Sequence, residues 1–314
     1  MPPLSRPPLL PPFSPSIKTS QSTVRKGLRG QNQPISPNLR LGSQSNGEFV
    51  QVPLKAENAL QSVQQALQDV VETHGSTHPK CTALYNKLGN AYFREGNLAQ
   101  AKECYQNAVS CDPCRGTASA YLNLGTIYWR MAEADRAMPM LKQALDCHEA
   151  DLQAEGIQSL QNSSFAASVY YQMGLCHALQ RDFDNASSFL KKSLAIYQRL
   201  NASVEEGKML SAMGKVMTMK GDKQRAVAYH ELSYRILASN QALTPVYLSN
   251  LAKAYEAVGE TSKALAMYKE MLTIIQERDT TTRAATEQKV KQLMDEAEKL
   301  HNSGTSALST PAVF

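Results

Sequence analysis

Residues 83–113 read ALYNKLGNAYFREGNLAQAKECYQNAVSCDP, and the spacing of their apolar side chains decides the fold. Tyr85, Leu88, Gly89 and Tyr92 recur at three- and four-residue steps, which sets them along one side of a helix. Ala101, Tyr105 and Ala108 form the matching stripe on a second helix. Between the two, Gly96 suits the left-handed residue that ends a helix, and Asn97 suits the cap that starts the next. The missing side chain at Gly89 and the small one at Ala101 let the helix axes approach closely. One hairpin of this kind cannot cover its own apolar face, so it needs neighbours to stack on.

The neighbours are in the chain. The pattern returns in SAYLNLGTIYWRMAEADRAMPMLKQALDC (119–147), SVYYQMGLCHALQRDFDNASSFLKKSLAIY (168–197), KMLSAMGKVMTMKGDKQRAVAYHELSYRIL (208–237) and VYLSNLAKAYEAVGETSKALAMYKEMLTII (246–275). Gly221 and Gly259 occupy the turn of later copies, and Asp182 and Asp222 stand at the capping position. Repeat starts fall at 82, 118, 167, 207 and 245, and the long second interval holds HEADLQAEGIQSLQNSS, read as an extended helix and a loop.

These residues resemble the tetratricopeptide repeat, whose pattern of roughly 34 residues wants a large residue at position 4, Leu-Gly at 7 and 8, Tyr at 11, Ala at 20, a large residue at 24, Ala at 27 and Pro at 32. Tyr85, Leu88, Gly89, Tyr92, Ala101, Tyr105, Ala108 and Pro113 fill every place in the first copy. The second keeps Tyr121, Leu124, Gly125, Tyr128, Ala137, Leu141 and Ala144. Departures grow afterwards: His177 stands at position 11 and Ser193 at 27 of the third copy, and Ala252 replaces the glycine of the fifth. The longer copies, near 40 residues, are similar to those of kinesin light chains and Pins-type polarity adaptors. The resemblance implies an all-α fold, a right-handed superhelix of helix hairpins in a tetratricopeptide-repeat solenoid, with five repeats over 82–278.

The flanks read differently. Residues 1–53 are rich in Pro and Ser, and up to residue 47 they carry Arg6, Lys18, Arg25, Lys26, Arg29 and Arg40 without an acid, so we expect a disordered basic tail or a targeting segment. That tail accounts for the chain's net charge of +5. The rest is nearly neutral and lacks the basic footprint of a nucleic-acid binder. Leu60, Val63, Leu67 and Val70 predict a helix over 54–78, ended by Gly75 and followed by Pro79 in the first turn of the next. Val290, Leu293, Met294, Ala297 and Leu300 predict a capping helix over 282–303, with a disordered tail at 304–314. No apolar run approaches the roughly 18 residues of a membrane span, so no membrane insertion is expected.

Chemistry-bearing motifs are sparse. Cys111 and Cys114 form a C-x-x-C, but Pro113 is position 32 of the first repeat, so the pair marks the end of a helix and has no second C-x-x-C to complete a zinc site. We find no phosphate loop, dinucleotide fingerprint, H-E-x-x-H or G-x-S-x-G. The expectation is no enzyme, no catalytic residue, no metal and no cofactor. His148-Glu149 and His230-Glu231 read as exposed polar faces of helices, and His177 as a packed replacement for tyrosine.

Function is then expected from surfaces. In tetratricopeptide proteins the first helix of each repeat lines a concave groove for an extended or helical peptide. The resemblance places Asn86, Asn90, Arg94, Asn123, Trp129, Arg130, Gln172, Lys208, Lys215, Asn250 and Lys253 on that face, which reads as polar and basic. Asparagine bonds both backbone groups of a peptide, and the cations favour acidic segments of partner proteins. The dicarboxylate clamp for chaperone C-terminal tails is not expected: Asn90 and Asn123 match it, but Asn86, Ser168 and Gln172 stand where it calls for cations. The reading is a cytoplasmic, non-enzymatic adaptor. Two alternatives stay open: a plastid or mitochondrial assembly or stability factor whose N-terminal segment is a targeting signal, and a regulatory subunit of an enzyme.

Overall fold

The computed structural model describes residues 39–41, 51–111, 116–156, 160–275 and 279–307, with side chains placed between Leu60 and Glu296. The five expected hairpins are α2 (Pro79–Arg94) with α3 (Leu98–Cys111), α4 (Ala118–Arg130) with α5 (Ala134–Ala154), α6 (Ser164–Leu179) with α7 (Phe183–Arg199), α8 (Ser203–Lys220) with α9 (Lys223–Ser239), and α10 (Pro245–Ala257) with α11 (Thr261–Ile274). They lie between α1 (Leu54–His74) and α12 (Thr280–Ala307). Each helix packs chiefly on its neighbours in the chain, as stacking of self-similar units requires.

Close approach within a hairpin comes from position 8 facing position 24. A Cβ built on Gly89 would sit 2.6 Å from the Tyr105 ring, one on Gly125 2.6 Å from Leu141 Cδ2, and one on Gly174 2.9 Å from Leu190 Cγ. The large residue thus fills the space that glycine leaves, and Tyr105, Leu141 and Leu190 are fully buried there. In the fourth repeat the partner of Gly214 is the imidazole of His230, 2.7 Å from the same construction and 4 % exposed. This corrects the reading of His230 as an exposed polar residue: counted from Gly207 it is position 24, and repeat register overrides a polar side chain. Burial holds its pKa down at about 4, helped by the nearby charge of Lys215.

The turns follow the expected logic at Gly96, Gly221 and Gly259, each left-handed with φ of 78°, 86° and 82°. Ala132 and Arg181 adopt the same conformation, φ 59° and 60°, in the second and third repeats. Stacking therefore imposes the turn even where a Cβ opposes it, a cost that glycine avoids. Asn97, Asp182 and Asp222 each accept the backbone N–H three residues on, at 3.1–3.2 Å.

Leu60, Val63, Leu67 and Val70 of α1 pack on the first hairpin, as their stripe predicts. At the other end Leu293 is buried and Val290 packs beside it, but Met294 is 49 % exposed and leaves the packed face. The helix also runs to Ala307, past the expected end. Ala297 and Leu300 have side chains outside the described set. His148 is partly buried rather than exposed, with Nε2 2.6 Å from Ser163 Oγ. His177 packs as expected, stacked on Phe189 at 5.3 Å and bonded through Nδ1 to Asp182.

α5 extends to Ala154, and a 3-10 turn at Leu160–Asn162 follows, consistent with the insertion after the second repeat. Within 1–53, Leu39–Leu41 pairs antiparallel with Gln51–Pro53, a short ladder that the tail's composition does not announce. Pro53, without an N–H, closes it just before α1 begins. The remaining expectations for 1–53 lie outside the described residues. Cys111 ends α3 and donates to Asn107 O at 3.2 Å and Ser76 O at 3.4 Å, whereas Cys114 lies outside the described residues.

Candidate functional site

The first helices of the repeats line one face, and its two halves are built differently. On α2 and α4 the asparagines bond one another. Asn123 Nδ2 donates to Asn86 Oδ1 and to Asn90 Oδ1, both at 3.1 Å, and Tyr105 OH donates to Asn90 Oδ1 at 2.7 Å. Arg130 lays its guanidinium over the Phe93 ring, 4.7 Å from the centroid. Arg94 is exposed in the last turn of α2. The expectation that Asn123 stands ready to hold a ligand's backbone is corrected: its amide N–H groups are already spent on the neighbouring helix. The sequence cannot show this, because Asn86 and Asn123 are 37 residues apart and meet only on stacking.

Further along, the face opens into a cavity of about 320 Å³ walled by α4, α6, α8 and α10. Trp129 stands at one side, and Tyr171, Leu175 and Leu179 of α6 form one wall. Met219 and Val246, 50 % and 57 % exposed, lie on its rim with Leu179 at 42 %. The wall is mainly apolar, which corrects the polar and basic reading of this face. The signal was present: Tyr171, Leu175 and Leu179 are spaced by four, a second apolar stripe on a helix whose first stripe already serves the core.

Of the expected cations, Lys208 and Lys215 line the cavity. Lys208 is 3.3 Å from Glu205 in an exposed pair. Lys215 is exposed and stands on the cavity wall. Desolvation, and after it the charge of Lys253, lower its pKa. Four buried polar atoms on these helices have no hydrogen-bond partner: Trp129 Nε1, Gln172 Oε1, Ser211 Oγ and Asn250 Nδ2. Trp129 and Ser211 belong to the cavity lining, and Gln172 and Asn250 lie on α6 and α10. Buried polar groups without partners are rare and destabilising by about 1–3 kcal/mol each, and these four all lie on the first helices of repeats two to five. Among the described residues no cluster of His, Cys, Asp and Glu fits a metal ion, and no helix is long and apolar enough to cross a bilayer.

Family models described as tetratricopeptide repeat match residues 81–150, 165–239 and 248–281. Among curated proteins the chain is similar to kinesin light chain-related 3 of Arabidopsis thaliana, 24% identical over 270 residues, which covers 81% of this chain and 40% of that protein. It is also similar to mouse neutrophil cytosol factor 2, 28% identical over 125 residues, covering 40% of this chain and 23% of that one. The chain thus spans well under half the length of these relatives. Among solved structures, BtubC (BKLC) from P. vanneervenii aligns with a TM-score of 0.54 at 19% identity, over 74% of this chain and 92% of its own. The Cut9–Hcn1 assembly of the APC/C aligns at 0.55 and 15%, over 78% of this chain and 41% of the matched chain. Five stacked hairpins, four of them with glycine against a large residue at the seam, and repeat models matching most of that span, make this chain a member of the tetratricopeptide-repeat family.

Proposed function

We propose that this protein is an adaptor that holds a segment of a partner protein in the cavity between α4 and α10. Proteins of this family are in general protein–protein interaction scaffolds without catalytic activity. The observation that carries the narrower reading is the cavity itself: an apolar wall beside four buried polar atoms that lack partners. A peptide supplies both kinds of contact at once, since its side chains cover the wall while its backbone groups pair with Trp129 Nε1 and Ser211 Oγ of the lining. The asparagines of the first two repeats contribute a closed shoulder instead, because Asn86, Asn90 and Asn123 are bonded to one another.

Trp129 is the only tryptophan of the chain and lines the cavity, so its fluorescence reports on this site alone. Peptides selected from a displayed random library against the whole chain should shift Trp129 emission on titration. Met219→Glu, which puts a charge on the apolar rim, should weaken those peptides at least tenfold without lowering the melting temperature. Selected peptides that bind both proteins alike and leave Trp129 emission unchanged would place recognition elsewhere and end this reading.

A further inference from the structure

Two lysines stand at repeat position 9 on adjacent first helices, Lys215 on α8 and Lys253 on α10. Ser211 and Lys215 are four residues apart on α8, and Asn250 and Lys253 are three apart on α10, so each pair shares a helix face. The two helices touch directly. Ser211, 3 % exposed, lines the cavity with its hydroxyl unpartnered, and Asn250 buries an unpartnered amide nitrogen. Among the described residues neither Lys215 nor Lys253 forms an ion pair. Nearby acids are taken: Glu256 by Lys289 Nζ and Tyr268 OH, both at 2.7 Å, Asp222 by Arg225 at 3.4 Å, Glu206 by Gln198 Nε2 at 2.9 Å and Glu205 by Lys208 at 3.3 Å. His230, packed beneath on α9, is neutral and adds no negative charge. Desolvation, and after it the charge of Lys253, lower the pKa of Lys215.

The strip thus carries two positive charges without an ion pair among the described residues, with a buried hydroxyl and a buried amide N–H on the same two helices. A single carboxylate carries one charge and two oxygens, and would leave one lysine unneutralised. A phosphoryl group carries close to two charges at neutral pH and three terminal oxygens, which matches two lysines plus neutral donors. Lysine suits this role as a compact charge with three rotatable donors. We propose, building on the groove reading above, that the ligand segment carries a phosphorylated serine or threonine seated between Lys215 and Lys253, with Ser211 and Asn250 as neutral donors and its apolar side chains in the adjoining cavity.

The test uses the whole chain and three matched immobilised peptide libraries whose central residue is phosphoserine, serine or glutamate. The phosphoserine library should retain the protein about tenfold more than the serine library, the size expected of charge-assisted bonds, and more than the glutamate library. Lys253→Gln and Lys215→Gln should each remove that preference, whereas Lys253→Arg should keep it. Both lysines are exposed, and unchanged thermal unfolding checks that the variants fold. Equal retention on glutamate and phosphoserine would make this a carboxylate site and overturn the proposal. So would a preference that survives both glutamine variants. Capture by vesicles containing a phosphoinositide, without any preference for phosphoserine peptides, would assign the charge to a lipid and also overturn it. If unphosphorylated peptides shift Trp129 emission and no library is preferred, the phosphate proposal fails while the groove reading stands.

Discussion

The first two repeats and the last three use one packing rule inside and opposite rules outside. In both regions a glycine of the first helix meets a large residue of the second: Gly89 with Tyr105 and Gly125 with Leu141 in one, Gly174 with Leu190 and Gly214 with His230 in the other. On the exposed face they part. Repeats one and two close an asparagine network across α2 and α4, whereas repeats three to five, with Trp129 at the edge of repeat two, leave an apolar wall, unpartnered polar atoms and two lysines without an ion pair among the described residues. The seam is what makes the hairpin, so four repeats keep the glycine and the fifth replaces it only with the small Ala252. The open face is free to vary, and there each repeat either satisfies itself or waits for a ligand.

The largest effect is expected where the regions agree. Gly125→Leu and Gly174→Leu should each lower stability by about 3 kcal/mol or more, since a Cβ already lies under 3 Å from Leu141 or Leu190 and the side chain has no exit. Chemical denaturation of the two variants measures it. A small loss in one and a large loss in the other would mean that the seam is not shared.

His230 offers a comparison within the seam, because Leu141 and Leu190 fill the same place elsewhere. Its folded pKa of about 4 lies below the ordinary imidazole value, so the unfolded chain takes up a proton first as pH falls. The contribution of the neutral imidazole is fully present above about pH 6.5 and is lost between there and pH 4, by about 3 kcal/mol in total. His230→Leu should flatten that part of the stability–pH curve. An unchanged slope in the variant would show that other groups set it.

The next prediction separates the two exposed faces. Asn123→Ala removes two donated hydrogen bonds from the closed network and should lower stability by about 1–2 kcal/mol, while peptides selected for the groove bind as before. Weaker peptide binding with unchanged melting would reverse the assignment and make the first two repeats the binding region. The smallest effect is expected at Arg130→Gln, which loses the stacking on Phe93 at an exposed site, about 0.5–1 kcal/mol by thermal unfolding. A larger loss would give the arginine a role in the inter-repeat joint that its stacking does not explain.

What was legible in the sequence is whatever a single hairpin dictates. Helix pairing, the glycine seam, the left-handed turns at Gly96, Gly221 and Gly259, and the Asp182 and Asp222 caps all rest on contacts within about 30 residues, where periodicity speaks directly. Even the buried His230 was readable by counting repeat positions. The positive φ of Ala132 and Arg181 was not, because those residues take the conformation against their own preference.

The candidate site divides along the same line. Which residues lie on the first helices, among them Trp129, Gln172, Lys208, Lys215, Asn250 and Lys253, follows from the repeat register in the sequence alone. Which of them are free follows only from stacking. Asn86, Asn90 and Asn123 look like Asn250 in sequence, yet the first three are bonded across helices 33 to 37 residues apart and the last keeps an unpartnered amide nitrogen. Likewise the stripe of Tyr171, Leu175 and Leu179 becomes a wall only when Met219 and Val246 arrive from later repeats. Local periodicity specifies the faces of each helix, and the superhelical offset between repeats, a property of tertiary packing, decides which faces meet and which remain open.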